Sequence, residues 1–258
     1  RPVAAIYSTF MQRAFDQIAH DIALQNLPVI FAMDRGGLVG EDGPTHHGVL
    51  DISFMRKIPN MTVLAPRDGK EFVQMLHFCV QHTSGPIAVR YPRGSVTELL
   101  HPALTRLAPT PIEHGKSELL KDGTDVLLVG YGAMTGPALD AAELLEREGI
   151  SAAVINARFV KPLDEEAIVA SAQQVRAVVT IEEGCLAGGF GSAVLEALAA
   201  RQITTPVACL GIPDRFIEHG PRNTLLDLCG LSPQKIAASA REALRGNFSP
   251  TAVTPQAL

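Results

Sequence analysis

Two arginines, an acidic pair and a histidine pair lie in the first half of the sequence: Arg35, Glu41, Asp42, His46, His47 and Arg93. Guanidinium groups suit phosphate or carboxylate, which they bind through paired hydrogen bonds. A histidine beside them can shuttle a proton or hydrogen-bond a polar intermediate near neutral pH. Each residue alone has a plainer role. A single arginine after a strand is most often a surface ion pair, and a single loop histidine is most often solvated or structural. Asp42, His46 and His47 make a poor metal site, because adjacent histidines do not easily ligate one ion. The combination carries the argument, and it depends on what positions these residues.

Strand-like and helix-like stretches alternate along the chain, the pattern of parallel sheets covered by helices. Val3–Tyr7 reads as a strand. After it, Met11, Phe15, Ile18 and Ile22 recur at helical spacing and define one apolar face. Val29–Met33, Met61–Leu64 and Ile87–Tyr91 read as further strands, and Asp68–His82 as a helix. In open parallel sheets, ligands bind beyond the carboxyl ends of the strands. Tyr7, Asp34 with Arg35, and Tyr91 with Arg93 all lie at such ends. The Gly-rich connection from Asp34 to Gly48 hangs on the same edge, and a loop of that length inside a compact domain tends to be functional.

Prolines at 102, 109 and 111 interrupt the pattern and read as a linker. Alternation then resumes with strands Asp125–Val129, Ala152–Asn156, Ala177–Ile181 and Val207–Leu210. Helices are expected over Gly136–Glu148, Asp164–Gln173, Phe190–Arg201 and Pro233–Leu244. GYGAM (Gly130–Met134) follows a strand and GGFGS (Gly188–Ser192) opens a helix, but neither meets the dinucleotide fingerprint, so tight turns and close packing explain them better. Glu182 and Glu183 at a strand end resemble an acid/base pair and equally an interface or a cap.

The chain has 258 residues, 47% of them hydrophobic and 19% charged, which excludes a disordered or low-complexity protein. The net charge of −5 argues against a nucleic-acid or anionic-membrane surface. No apolar run is long enough to span a bilayer. Cys79, Cys185, Cys209 and Cys229 are far apart, which fits buried apolar residues in a reducing cytosol. The chain opens at Arg1, without methionine and almost directly on a strand, and therefore reads as a piece of a longer polypeptide.

Three segments of the first half carry a resemblance: IYSTFMQRAFDQ (Ile6–Gln17), the loop DRGGLVGEDGPTHHGVLDISFMRKIPNMTVLAPRD (Asp34–Asp68) and AVRYPRG (Ala88–Gly94). GYGAM, NARFVKPLD (Asn156–Asp164) and EEGCLAGGFGS (Glu182–Ser192) extend it over almost the whole chain. In this order and spacing they resemble the 1-deoxy-D-xylulose-5-phosphate synthase family of the transketolase superfamily. DGPTHHG by itself is only a superfamily feature. The resemblance implies an α/β chain of two three-layer domains, each a mostly parallel sheet flanked by helices. Residues 1–107 would be a pyrimidine-binding domain truncated at its N-terminus, 108–122 a linker, 123–245 a transketolase C-terminal domain and 246–258 a tail.

The implied enzyme uses thiamine diphosphate and Mg2+ to decarboxylate pyruvate and condense the resulting enamine with glyceraldehyde 3-phosphate. The product, 1-deoxy-D-xylulose 5-phosphate, is a precursor of isoprenoids, thiamine and pyridoxal. Tyr7, Phe10 and Arg13 would line the aminopyrimidine pocket, with Phe10 stacked on the ring. Arg35 and Arg93 would bind the acceptor's phosphate. Asp42 and His46 would stand at the reacting carbons, with His46 also binding substrate and pointing into the cleft in preference to His47. No metal ligand falls in this chain. The diphosphate and Mg2+ ligands, and the glutamate that contacts the pyrimidine, belong to the missing N-terminal part, so the chain alone should be inactive. The partners implied are that missing part and a second copy in a homodimer, with no nucleic acid and no membrane. The location is cytoplasmic, or the plastid stroma if the parent polypeptide carries a transit peptide. The alternatives are the E1 β subunit of a 2-oxoacid dehydrogenase, which needs the pyrimidine-contacting glutamate in its own sequence, and a non-catalytic dimerisation module of the same fold.

Overall fold

A computed structural model describes residues 1–96, 101–106 and 110–246. The expected tail beyond Gly246 lies outside the described residues. The first sheet holds β1 (Val3–Tyr7), β2 (Ile30–Asp34), β3 (Thr62–Leu64) and β4 (Ile87–Arg90), with β8 (Phe159–Lys161) supplied by the second half of the chain. The second holds β5 (Glu118–Lys121), β6 (Val126–Gly130), β7 (Ala152–Asn156), β9 (Ala177–Cys185) and β10 (Val207–Ile212). Their orders are β1-β2-β4-β3-β8 and β10-β9-β6-β7-β5. All pairings are parallel except β3 with β8 and β5 with β7, so each sheet ends in one antiparallel edge strand. β2, β4, β6 and β7 are near-continuous apolar runs, as strands buried on both faces must be.

The helices are α1 (Phe15–Gln17), α2 (Asp51–Met55), α3 (Gly69–Gln81), α4 (Pro102–Arg106), α5 (Thr135–Arg147), α6 (Glu165–Ala172), α7 (Phe190–Ala200), α8 (Arg222–Leu228) and α9 (Pro233–Leu244). α3 starts where Asp68 accepts from the Glu71 amide at 2.8 Å, while Glu71 reaches back to the Arg67 amide at 2.7 Å. Asp68 thus satisfies one of the donors that a helix start leaves unpaired. Pro102 lies at the first position of α4, where its missing N–H costs nothing, so the proline-interrupted stretch holds a helix just ahead of the expected linker over 108–122.

The segment after β1 departs from the expected helix. Ser8–Ala14 is a 3-10 turn, α1 is a single turn, and Ile18–Ala23 is wound as a π-helix. Met11 and Ile18 are buried as expected, but the change in winding turns Phe15 outward, leaving it 42% exposed against Phe54. The two halves share one apolar core: Met11, Ile52, Met55 and Met61 belong to the same buried cluster as Tyr131, Val160 and Phe190.

Candidate functional site

The carboxyl ends of β1, β2 and β4 form one rim, and the loop from Arg35 to Gly48 rises from it. The loop is closed at its base, where Gly37 and Gly48 exchange backbone hydrogen bonds of 2.7 and 2.8 Å. Arg35 opens it with φ +58°, a left-handed conformation that a bulky residue adopts only under constraint. Its amide is held by the Asp34 carboxylate at 2.5 Å, and the Gly36 amide by the Tyr91 carbonyl at 2.9 Å.

The two arginines expected to act together do converge, and they converge on Asp42. Arg35 pairs with Asp42 Oδ2, and Arg93 Nε lies 3.6 Å from the same oxygen. Arg35 also stacks on Tyr7, its guanidinium carbon 4.2 Å from the ring centroid, and donates to the Tyr7 hydroxyl at 3.2 Å. Its Nε is buried without a hydrogen-bond partner among the described residues. Arg93 donates to the Val39 carbonyl at 3.0 Å and is otherwise partly open. Two guanidinium groups thus share one carboxylate, with Asp34 at the foot of the loop beside them.

Beside it stands an aromatic ledge. The rings of Tyr7 and Phe10 stack at 5.5 Å, and Phe10 remains 43% exposed. His46 meets Phe10 edge-on at 5.5 Å, with Nδ1 2.9 Å from the Thr45 hydroxyl. Arg13 lies one turn beyond Phe10, exposed, and among the described residues it makes no hydrogen bond or ion pair.

His47 turns the other way. The stretch that carries both histidines is a turn, in which their amides point at the Gly43 carbonyl, at 3.0 and 3.2 Å. The two rings diverge all the same. His47 is 5% exposed, its Nδ1 accepts from the Val39 amide at 3.1 Å, and its Nε2 lies 3.4 Å from the Glu218 carbonyl. Val39 can only donate, so Nε2 carries the proton of the neutral ring. Burial pushes the pKa of His47 below its usual value.

A cavity of about 370 Å³ opens on the other side of the arginines, among Asp34, Arg35, Phe72, Tyr91, Arg93 and Val96. Tyr7, Phe10, Asp42 and His46 do not line it. The arginines therefore stand between this cavity and the aromatic ledge. Among the described residues, no group of three or more His, Cys, Asp or Glu is placed to hold a metal ion.

The glutamates of the second half serve different ends. Glu182 is fully buried and accepts from the Phe190 and Gly191 amides at 2.7 and 2.8 Å. The anion at the start of α7 is thus the protein's own carboxylate, and GGFGS is a turn around it. Burial lifts the Glu182 carboxyl to about 7, against those two donors, which favour its charge. Glu183 instead faces the loop of the first sheet. The sequence reading missed Asp51, Arg90 and Arg222. Arg90 Nε pairs with Asp51 at 2.7 Å, and its Nη2 donates to the carbonyls of Gly48 and Glu183 at 3.1 and 2.7 Å. The available signal was an arginine closing an otherwise apolar strand.

Comparison with known proteins follows the same two-part division. Residues 1–98 match the pyrimidine binding domain of transketolase, and residues 115–236 its C-terminal domain. A solved split-gene transketolase, an inactive β4 tetramer, superposes with a TM-score of 0.84 at 34% identity, covering 96% of this chain and 77% of that one. The chain belongs to the transketolase family. Within that family it is similar to curated 1-deoxy-D-xylulose-5-phosphate synthases: 54% identical over 244 residues to that of Gloeobacter violaceus, and 55% over 238 residues to that of Thermosynechococcus vestitus. These alignments cover 95% and 92% of this chain but 38% and 37% of the relatives, so this transketolase-family chain spans about two fifths of their length.

Proposed function

We propose that this chain is the part of a thiamine-diphosphate-dependent 1-deoxy-D-xylulose-5-phosphate synthase that receives the aminopyrimidine of the cofactor and the phosphate of the acceptor aldehyde. The observation that carries this reading is the convergence of Arg35 and Arg93 on Asp42, beside the open Tyr7–Phe10 ledge. The substrates are pyruvate and glyceraldehyde 3-phosphate. The chain is read as a pyrimidine-binding domain over 1–107, a linker over 108–122 and a C-terminal domain over 123–245.

The residues present fit one end of thiamine diphosphate. A half-exposed phenylalanine stacked on a tyrosine offers a flat apolar face for a heteroaromatic ring. Phe10 would carry the ring on that face, with Tyr7 behind it and Arg13 at its margin. Mg2+ and the diphosphate would be held by the part of the polypeptide outside this chain. When bound, the cofactor supplies the nucleophilic carbon and the electron sink for breaking and making the bond beside a carbonyl.

The chain's own residues bind and orient. Arg35 and Arg93 hold the acceptor's phosphate, a dianion that suits two adjacent guanidinium groups, of which Arg93 is the more open. Binding this remote group fixes the position of the reacting carbonyl. Asp42 keeps the two guanidinium groups together before the phosphate arrives. His46, at the edge of Phe10, would hold a proton at the acceptor's carbonyl oxygen. A homodimer in the cytoplasm, or in the plastid stroma given a transit peptide, completes the reading.

The test is to supply the complete polypeptide with pyruvate, glyceraldehyde 3-phosphate, thiamine diphosphate and Mg2+, and to detect 1-deoxy-D-xylulose 5-phosphate. Residues 1–258 alone should form none. A complete polypeptide that decarboxylates pyruvate yet transfers the fragment to a lipoyl carrier would favour the E1 alternative. One inert under both conditions would favour a non-catalytic module.

A further inference from the structure

We propose that Glu183, contributed by the second sheet, is a positioning residue for the loop that carries Arg35, Asp42 and His46. The proposal rests on the functional reading above, and its structural basis is a chain of contacts that begins in the other half of the molecule. β9 carries Glu183 to the base of the loop, where it is 2% exposed. Its Oε1 accepts from the Leu38 amide at 2.9 Å. Arg222, the first residue of α8, donates to both carboxylate oxygens, at 3.2 and 2.5 Å.

The approach is close enough to dictate the sequence beneath it. Gly37 has φ +91°, and a Cβ there would collide with the Glu183 carboxyl group. No other residue type meets both demands. The far end of the loop is tied to the same residue: Arg90 bridges the Glu183 and Gly48 carbonyls. The Cys185 amide then donates to the Val49 carbonyl at 2.7 Å. Both feet of the loop therefore rest on Glu183 and its neighbours in β9.

Glu183 makes no hydrogen bond or ion pair to Asp42, Arg93 or His46; it acts through the backbone. From Leu38 the path runs to Val39, whose carbonyl holds Arg93 and whose amide holds His47. On the other side lies Arg35, two residues from Gly37. A buried carboxylate balanced by one arginine and one amide has little to contribute as packing. It is suited to fixing a backbone in one place, because an unpaired Leu38 N–H or Arg222 would be costly.

The experiment uses the complete enzyme with Glu183→Ala, Glu183→Gln, Arg222→Ala and Arg222→Lys. Steady-state kinetics are measured for both substrates, and amide hydrogen exchange is followed over residues 36–48. Glu183→Ala should lower kcat/KM for glyceraldehyde 3-phosphate by about tenfold or more, leave the KM for pyruvate within about twofold, and accelerate exchange at Leu38. Glu183→Gln should fall between, since its carbonyl can still accept from Leu38. Arg222→Ala should follow Glu183→Ala, and Arg222→Lys should recover part of the loss. With unphosphorylated glyceraldehyde as acceptor, the variants should differ less from wild type. Equal losses for both substrates in step with a lowered melting temperature would overturn the proposal, as would unchanged kinetics and exchange. If the wild-type enzyme lacks synthase activity, the functional reading falls, and the exchange data alone decide whether Glu183 holds the loop.

Discussion

Arg90 offers the sharpest test of how the two sheets are joined. Its side chain is 5% exposed and its partner Asp51 1% exposed. Replacing Arg90 by leucine leaves the Asp51 carboxylate buried without its cation, holding only the amide of Ile52 at 2.8 Å, and strips a donor from the carbonyls of Gly48 and Glu183. Removing one partner of a buried pair typically costs about 3–5 kcal/mol. For a chain of this size, each kcal/mol moves the midpoint by about 2–4 °C, so the expected drop is about 6–20 °C. The charge itself is isolated by a second substitution. If the cost lies mainly in the uncompensated carboxylate, Arg90→Leu with Asp51→Asn should be more stable than Arg90→Leu alone, and the two single losses should fail to add. Scanning calorimetry of wild type, both single variants and the double variant at pH 7 gives all four corners of the cycle. A drop below about 2 °C for Arg90→Leu, or strict additivity, would refute the reading of the pair as the buried anchor that holds Arg90 against the Glu183 carbonyl of the second sheet.

Further outcomes are expected at the rim and from pH. In the complete enzyme, Arg35→Ala and Arg93→Ala should each lower kcat/KM for glyceraldehyde 3-phosphate by about tenfold to a hundredfold, since each hydrogen bond to a charged group is worth roughly 1.5–3 kcal/mol; pyruvate should be less affected, and equal effects on both substrates would refute the clamp. His46→Ala should cut turnover by about a hundredfold to ten-thousandfold with little change in melting temperature. His47→Ala should do much less to turnover and show chiefly as lost stability, because its ring bridges Val39 and Glu218; the reverse pattern would pass the catalytic assignment to His47. Burial lowers the pKa of His47, His82 and His114, with His114 adding to the shift of His82. Unfolding releases these rings to about 6.5, so the unfolded chain binds more protons and stability is lost as pH falls below that value. Glu182, raised to about 7, works in the opposite sense, since its contribution is present at low pH and lost as pH rises through 7. Because burial raises Glu71 as well, the two senses are separated by a variant: from pH 8 to pH 5 the urea midpoint of Glu182→Gln should fall more steeply than that of the wild type, and equal slopes would contradict the raised Glu182 carboxyl.

The rim was legible because it follows from local facts. A strand ending in Tyr7, another in Asp34 and a third leading to Arg93 place three chemical groups on one edge wherever the strands pair in parallel. α9 begins and ends where Pro233 and Leu244 place it, since Pro at the first helical position and an apolar spacing of three and four agree. The first helical segment misled because four apolar residues at regular spacing presuppose one winding, and the chain uses three. α2, α8 and β8 are short, and β8 has no signature of its own. Phe159–Lys161 becomes a strand only because Val63 and Leu64 lie beside it. A pairing across such a distance in sequence has no local trace.

The seam between the halves was hidden for the same reason, and it carries a consequence for the site. Two ionic groups cross it. In one, Arg90, paired with Asp51, donates to the Glu183 carbonyl, while Glu183, paired with Arg222, accepts from the Leu38 amide. The other is Arg67 with Glu118, and Arg158 with Glu71 at 2.7 Å and Glu118 at 3.3 Å, joined by Asn156. A purely apolar seam would bind the halves as well, because burial is non-directional and tolerates sliding. Charged hydrogen bonds tolerate far less, since a slip leaves each buried group unpaired. The proposed acceptor site would need that intolerance. Arg35, Asp42 and Arg93 come from one sheet, yet the loop that brings them together closes onto β9 and α8 of the other. The relative placement of the halves is therefore a coordinate of the site itself, and the buried charges fix it.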